Sequence, residues 1–325
     1  MKQFKRISHW CLSAVGWWVL LPGLAVGQAP IYNTANFVTE DANLSVVVNG
    51  FPLYSIPQTG NQGSESSNIG RFLKRGGNEI ILQATPMVAL DGTLKPSHLF
   101  SAEIYSKETV GGPETSVLKV ERLSDTNGDE PNTRTTCVSA GRTLAMLRSN
   151  GANDGGVVQF KHATSEVNYR AGTGGTTTIS VTLDLPLAPL ESLPWQAEAV
   201  APTAGEVETI RQTVLNLRNA LQAQNWDSVE AILDFKYDRM ATAMGATKSA
   251  VADATKGIFQ KLFASDGFSL QPLAAADLVI SQIPGLNLIR VEKSGAAPIV
   301  GSGTEVSYEM AIYFSKVNGV WMAIE

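Results

Sequence analysis

The stretch "LSVVVNGFPLYSI", residues 44–56, places two runs of β-forming residues on either side of the dipeptide Asn49-Gly50. Asparagine and glycine both accept the positive φ that a two-residue hairpin turn requires. The stretch therefore predicts a β-hairpin, in which the two runs pair with each other across the turn.

Further β-forming runs follow this hairpin as far as residue 187, separated by clusters of Gly, Thr, Ser and Asn. In "TTTISVTLDL", residues 176–185, Ile179, Val181 and Leu183 share one face, and polar side chains occupy the other. This period of two is typical of half-buried strands. Roughly seven or eight such strands predict an all-β sandwich over residues 28–187.

A second pattern adjoins the hairpin. The segments "VVVNGFPL" (46–53) and "IGRFLKRGGNEIIL" (69–82) resemble the opening of jelly-roll or immunoglobulin-like accessory modules, in which a strand ending in Asn-Gly precedes a turn and a further strand. The matching positions are Leu73, Gly76 or Gly77, Asn78, Ile80 and Leu82. The resemblance implies a β-sandwich but no particular ligand, because such modules include glycan-binding and purely structural examples.

The composition changes at Pro186. The stretch "PLAPLESLPWQAEAVAPTAGE", residues 186–206, contains four prolines and little periodicity. We therefore predict an extended linker over residues 188–204. Trp195, in the middle of this stretch, is expected to anchor the linker against one of its neighbours.

Helix signals begin after the linker. Thr203 and Glu206 have the spacing of a capping box, and either Asn225 or Asp227 can cap a second helix that Gly245 ends. The third predicted helix covers residues 248–263 and turns inward Val251, Ala254, Ile258 and Leu262. Strands follow, and Val317-Asn318-Gly319 predicts a last hairpin turn.

This order of three helices and a meander predicts an α+β unit over residues 205–325. The segment "LRNALQAQNWDSVEAILDFKYD" (217–238) is similar to the helix, turn and helix entry of the nuclear-transport-factor-2-like, or cystatin-like cone, superfamily. The segment "YEMAIYFSKVNGVWMAIE" (308–325) resembles the closing strand pair of that superfamily, with Gly319 and Trp321 in the expected places. The resemblance implies three helices packed on a curved antiparallel sheet.

The beginning of the chain, residues 1–27, has the pattern of a signal peptide. Basic residues precede an apolar run, and Ala25-Val26-Gly27 supplies the small residues of a cleavage site. Cleavage near Gly27 would remove three cations and no anions, which moves the formal charge from −5 to −8. We therefore expect a periplasmic or secreted, acidic protein that neither inserts into a membrane after cleavage nor binds nucleic acid.

The stretch "LSDTNGDEPNTR", residues 123–134, is the strongest candidate for a metal site. Asp125, Asn127 and Asp129 alternate as at the start of a calcium loop. Glu130 stands where the loop needs glycine, and Thr136 stands where it needs a bidentate glutamate. We therefore interpret the stretch as an acidic hairpin loop between two strands, and we expect neither a bound metal nor another cofactor.

Candidate acid-base residues occur in the predicted cone. They are Asp234, Tyr237, Asp238, Tyr308, Glu309 and Tyr313. Strand periodicity puts Tyr308 on the apolar face and Glu309 on the opposite face, so only Tyr308 would bring a polar group into a cavity. That arrangement indicates a core or an apolar binding pocket, and not a pair of catalytic carboxylates.

These observations favour an exported, non-catalytic binding or scaffolding protein of the bacterial envelope, whose partner is a protein or a glycan. One alternative is a small-molecule enzyme of the isomerase or hydratase type that uses the cone pocket. Another alternative is a toxin-immunity-type protein. The enzyme hypothesis requires a water-accessible carboxylate inside the cone with a shifted pKa.

Overall fold

The chain divides into two compact units, the first ending at Glu191 and the second beginning at Ser192. A computed structural model describes residues 31–40, 42–56, 67–86, 99–108, 112–125, 132–139, 142–149, 157–162, 165–171 and 177–325. The first unit is rich in sheet, and the second combines three helices with antiparallel strands. The expected order of a β-rich half and an α+β half is therefore confirmed.

Twelve strands in two antiparallel sheets form the described part of the first unit. One sheet has the order β4 (Ser67–Asn68), β1 (Ile31–Glu40), β6 (Leu99–Lys107), β7 (Thr115–Asp125), β8 (Asn132–Ser139) and β9 (Arg142–Ser149). The other has the order β10 (Val157–His162), β11 (Ser165–Ala171), β12 (Thr177–Leu185), β5 (Gly76–Pro86), β2 (Ala42–Val48) and β3 (Phe51–Ile56). The expected number of seven or eight strands was therefore too low.

Apolar side chains from both sheets line the same narrow interior. The lining residues include Val46, Ile80 and Leu82 from one sheet and Ala102, Ile104 and Leu118 from the other. The remaining free volume is about 10 Å³, so the side chains fill the space between them. Alternation of apolar and polar residues on β5 and β12 produces this one-sided burial.

The hairpin that was expected around Asn49-Gly50 is confirmed. Asn49 has φ of 53° and Gly50 has φ of 80°, and β2 pairs with β3 across them. The stretch with the candidate calcium loop also joins paired strands, since Asp125 at the end of β7 lies opposite Asn132 at the start of β8.

The three helices of the second unit begin and end where capping residues occur. Helix α1 (Ala204–Gln222) starts with the expected capping box of Thr203 and Glu206. Helix α2 (Trp226–Met244) is capped by Asn225, the first of the two alternatives, and Gly245 ends it in the left-handed conformation. Helix α3 (Lys248–Ala264) starts after Thr247. Among the described residues, no helix combines the length and the apolar character needed to cross a membrane.

The inward face of α3 differs from the expectation. Ala254 is exposed, and Phe259, which the sequence analysis did not select, is 1% exposed and among the largest buried side chains. The helix is therefore rotated so that the bulkier aromatic side chain enters the core, where it removes more apolar area from water.

The strands of the second unit form two sheets instead of one. The three-stranded sheet contains β13 (Ser269–Leu270), β16 (Ile299–Ser302) and β17 (Ser307–Met310). The four-stranded sheet contains β14 (Leu278–Gln282), β15 (Ile289–Lys293), β18 (Ile312–Val317) and β19 (Val320–Ala323). The run "TEVSYEMAIYFSK", residues 304–316, has the period of one strand, but the pairing changes partner at Ala311, from β16 to β15. The expected last turn at Asn318-Gly319 is confirmed.

The proline-rich stretch makes contacts within each of the two units. Leu190 forms a parallel bridge with Lys74, and the Leu190 carbonyl accepts a hydrogen bond from the Arg75 N–H at 2.7 Å. In the second unit, Trp195 is 1% exposed, and its ring lies 5.1 Å from the guanidinium carbon of Arg239. The expectation that Trp195 is an anchor is therefore confirmed.

Candidate functional site

Aromatic side chains fill the interior between the helices and sheets of the second unit. Tyr308 of β17 packs edge-on against Phe259 of α3, with ring centroids 4.9 Å apart. Tyr237 of α2 is 2% exposed and belongs to the same core. The sequence prediction that Tyr308 faces this interior is confirmed.

The environment of both tyrosines disfavours the charged phenolate. Burial raises the pKa of Tyr237 to about 12, and a hydrogen bond with Thr255 limits the rise. Burial is also the largest cause of the raised pKa of Tyr308, and the nearby carboxylate of Glu325 adds to it. Tyr308 is half-buried and packs against this core. Neither tyrosine is poised to exchange a proton near pH 7.

Two of the three carboxylates among the candidates, Asp234 and Glu309, lie on the outer surface of different elements of the unit. Asp234 is exposed on α2 and forms an ion pair with Lys248 at the start of α3. Glu309 is exposed on β17, on the face opposite Tyr308 and Met310. The structure therefore separates Asp234 and Glu309 from Tyr237 and Tyr308, which it brings together.

The other candidates contribute no acid-base pair. Asp238 is exposed on α2, and Tyr313 of β18 is 6% exposed, with a pKa raised by burial. General acid-base catalysis needs a group whose pKa is close to the working pH and which reaches the substrate. The phenols of Tyr237, Tyr308 and Tyr313 have raised pKa values and do not meet the first condition, and the three candidate carboxylates are exposed on the surface.

The candidate metal ligands lie at the edge of the described structure. Asp125 is the last residue of β7, and Asn127 and Asp129 lie outside the described residues. Elsewhere in the described ranges, no three His, Cys, Asp or Glu side chains converge in a way that could hold a metal ion.

Two buried asparagines, Asn49 and Asn78, connect the hairpin turn at Asn49-Gly50 to residues 72–79. Asn78 is 0% exposed, and its Oδ1 accepts hydrogen bonds from the Lys74 N–H and from the Asn49 side-chain amide, each at 2.8 Å. Its Nδ2 donates to the carbonyls of Lys74 and Gly76. The side chain of Asn49 in turn accepts from the Glu79 N–H and donates to the Phe72 carbonyl. Asn78, one of the positions that match the pattern of accessory modules, therefore stabilises the turn before β5 and joins it to the hairpin.

A third buried asparagine, which the sequence analysis did not select, has the same role in the second unit. Asn287 is 2% exposed, and its Nδ2 donates to the carbonyls of Lys316 at 2.8 Å and Pro194 at 3.1 Å. The Asn287 N–H donates to the Trp195 carbonyl, and the buried Ser315 hydroxyl donates to the Asn287 carbonyl. These bonds tie the Trp195 segment to β18.

The seam between α1 and α2 forms an open groove of about 500 Å³. Its polar lining residues are Asn216, Asn219, Asn225 and Ser228. Its apolar lining residues are Ala220, Ala223, Ala231 and Ile232. None of these eight side chains carries a charge. We call this feature the amide groove.

The chain matches no family model, and no curated protein is significantly similar to it. The function is therefore inferred from the residues and contacts of the chain itself.

Proposed function

We propose that the chain is an exported, non-catalytic binding or scaffolding protein of the bacterial envelope, built from a β-sandwich and a cone-like α+β module. The position of the candidate acid-base groups carries this proposal. Asp234 and Glu309 face solvent, Tyr237 is buried in the core, and Tyr308 is half-buried against it. A protein whose interior is filled in this way acts through its surface.

Export rests on residues 1–27, whose basic start, apolar run and small residues before Gln28 are those of a cleaved signal. The acidic charge that remains favours a protein or glycan partner over nucleic acid.

The test is an affinity capture with the full chain, expressed with its own residues 1–27 and recovered from the periplasm. The N-terminal residue of the recovered protein should be Gln28, and cross-linking in envelope extract should capture the same partner repeatedly. The matched variant replaces three candidates at once, Asp234→Asn, Tyr308→Phe and Glu309→Gln, and should capture this partner equally well.

The enzyme hypothesis makes the opposite prediction. Recovery of no partner, together with turnover of a small substrate that the triple variant loses, would overturn the proposed function. Retention of the protein in the cytoplasm with residues 1–27 intact would remove the export part of the proposal.

A further inference from the structure

Two hairpin turns of the structure carry the same dipeptide, Asn-Gly. Asn49 and Gly50 have φ of 53° and 80°, and Asn318 and Gly319 have φ of 50° and 82°. In both turns the flanking residues form a strand pair, so each loop contains only the two residues of the dipeptide. The two turns share their sequence and nearly share their backbone conformation, and they differ in what surrounds the asparagine side chain.

The side chain of Asn49 is enclosed and held at both ends of its amide. Its Nδ2 donates to the Phe72 carbonyl and to the Asn78 Oδ1, each at 2.8 Å. Its Oδ1 accepts a hydrogen bond from the Glu79 N–H at 2.9 Å, and Asn49 is 3% exposed. A side chain held in this way rotates toward its own backbone only when three buried hydrogen bonds break together.

The side chain of Asn318 has the opposite environment. Asn318 and the neighbouring Gly319 are both exposed, and within the described ranges the Asn318 amide makes no hydrogen bond to the protein. Strand β19, which follows the turn, is an edge strand whose neighbour in its sheet is β18. Opening of this turn therefore breaks backbone hydrogen bonds at the end of one hairpin and no side-chain contact of Asn318.

An asparagine followed by glycine can lose its side-chain nitrogen without an enzyme. The deprotonated backbone nitrogen of Gly319 attacks Cγ of Asn318 and closes a succinimide ring, and glycine favours this attack because it has no Cβ near the nitrogen. The Cγ–Nδ2 bond breaks, and Nδ2 takes up one proton from water and leaves as ammonia. Water then opens the ring, at Cγ to give aspartate or at the backbone carbonyl to give isoaspartate. No atom is oxidised or reduced.

The closed turn does not permit the attack. In the left-handed conformation both φ and ψ are positive, and the following backbone nitrogen then points away from Cβ of the asparagine. Rotation about the Cα–C bond must precede ring closure, so the rate at each Asn-Gly turn depends on how often that turn opens. Asn318 needs only the end of its hairpin to open, whereas Asn49 must also lose its buried hydrogen bonds.

We propose that Asn318 is a site of spontaneous deamidation and that Asn49 is protected from the same reaction by its buried hydrogen bonds. The inference goes beyond the proposed binding function, because it concerns a covalent change that the fold permits at one turn and suppresses at another. The same dipeptide also occurs at residues 127–128 and 150–151, which lie outside the described residues.

The products change the hairpin as well as its charge. Aspartate and isoaspartate each add a negative charge at the exposed turn, and isoaspartate also adds one carbon atom to the main chain. The loop between Val317 and Val320 has only two residues, and this length matches the register of β18 and β19. We therefore expect the isoaspartyl form to weaken the pairing of these two strands.

The experiment ages the full chain at mildly alkaline pH, where more of the backbone nitrogen is deprotonated. Mass spectrometry of the Asn-Gly peptides follows the conversion, with electron-transfer fragmentation to separate aspartate from isoaspartate. In the folded chain, residue 318 should convert at least about tenfold faster than residue 49. A second sample is aged in concentrated urea, which unfolds the chain, and there the two rates should become similar.

An unchanged amide at residue 318 in the folded chain would overturn the inference, and so would conversion of residue 49 at the same rate. A difference that persists in urea would also overturn it, because the neighbouring sequence and not the fold would then be the cause.

The control variant Asn318→Gln keeps a side-chain amide and shares every other asparagine with the wild type. Its longer side chain would have to close a larger ring, which is slower, so we expect it to keep its melting temperature during ageing while that of the wild type falls. Equal melting temperatures after residue 318 has converted to isoaspartate in the wild type would contradict the weakened pairing of β18 and β19.

Discussion

Buried asparagines hold a loop against a strand in both units, but only one of the two arrangements is visible in the sequence. Asn49 and Asn78 join a hairpin turn to the start of β5, and both stand next to glycines in recognisable positions. Asn287 joins the Trp195 segment to β18 from a loop that follows Gly285 and has no such pattern. A buried asparagine network can therefore be recognised from neighbouring residues in the first unit but not in the second.

The difference lies in the sequence distance that each asparagine spans. Asn78 bonds Lys74 and Gly76 within its own turn, so part of its partner set is fixed by local geometry. Asn287 reaches Pro194, which is 93 residues away, and Lys316, which is 29 residues away. Only the tertiary fold brings those carbonyls to one amide, and sequence periodicity carries no information about them.

The largest effect is expected from Asn78→Ala. The substitution leaves the Lys74 N–H, the Asn49 amide and two carbonyls without their partner in a buried site, which should lower the free energy of unfolding by about 4 kcal/mol. Urea unfolding followed by far-UV circular dichroism measures this change. The control Gln83→Ala, exposed on the same strand, should change stability by less than about 0.5 kcal/mol. Equal effects of both variants would contradict the role of Asn78.

A slightly smaller loss, about 3 kcal/mol, is expected from Asn287→Ala, because its side-chain hydrogen bonds to Pro194, Ser315 and Lys316 reach 3.1 to 3.4 Å in three of four cases and are longer than those of Asn78. After residue 27, all tryptophans lie in the second unit, at Trp195, Trp226 and Trp321, so tryptophan fluorescence during urea unfolding reports on that unit. Gln260→Ala on α3 serves as the control. If Asn287→Ala unfolded at the same urea concentration as the control, the bonds of Asn287 would be unimportant for stability.

Gly301→Ala tests packing in the unit where the sequence revealed less. A Cβ at Gly301 would lie 2.5 Å from Cζ of Phe268 and 3.0 Å from Cδ2 of Leu270. We expect a loss of about 2 kcal/mol, because the buried Phe268 ring must shift. Gly257→Ala meets no atom within 4 Å and should stabilise α3 by about 0.5 kcal/mol. Thermal unfolding of the two variants should move the midpoint in opposite directions; movement in the same direction would refute the contact.

The smallest effect concerns the ion pair that joins α1 to β18. Lys316 and the capping contact with Thr203 lower the pKa of Glu206 from 4.5 to about 2. A lowered pKa in the folded state stabilises the fold above pH 4.5, and the stabilisation is lost as the pH falls from 4.5 towards 2. The variant Glu206→Gln keeps the cap acceptor but loses the charge.

The melting temperature of Glu206→Gln should therefore lie below that of the wild type at pH 7 and coincide with it near pH 2. The control Glu208→Gln alters only an exposed ion pair with Arg211 and should melt like the wild type at both values. A gap that stays constant between pH 7 and pH 2 would show that the pair with Lys316 contributes nothing.

Local signals predicted much of the fold. The turns at Asn49-Gly50 and Asn318-Gly319, the capping box at Thr203 and the helix end at Gly245 all depend on a few neighbouring residues, and all are confirmed. The rotation of α3 toward Phe259 and the change of pairing at Ala311 depend on which distant strand lies opposite. Those features follow from packing, so the sequence pattern alone predicted them incorrectly.

The candidate site also combines features that neighbouring residues predict with features that depend on the tertiary fold. Strand alternation predicted the inward position of Tyr308 and the outward position of Glu309. The amide groove was not expected, because its residues come from two helices that only the fold brings side by side. A search for asparagines three residues apart on an exposed helix face could have indicated Asn216 and Asn219.

The proposed function requires that the interior of the second unit, against which Tyr308 packs, is closed to water. An absorbance titration of the tyrosines, in the wild type and in Tyr308→Phe, tests this claim directly, with circular dichroism to confirm that both remain folded. Because the pKa of Tyr308 is raised by burial, the two titration curves should coincide up to about pH 11. One additional tyrosine ionising in the wild type at pH 10 or below would mean that water reaches Tyr308, and would contradict the account.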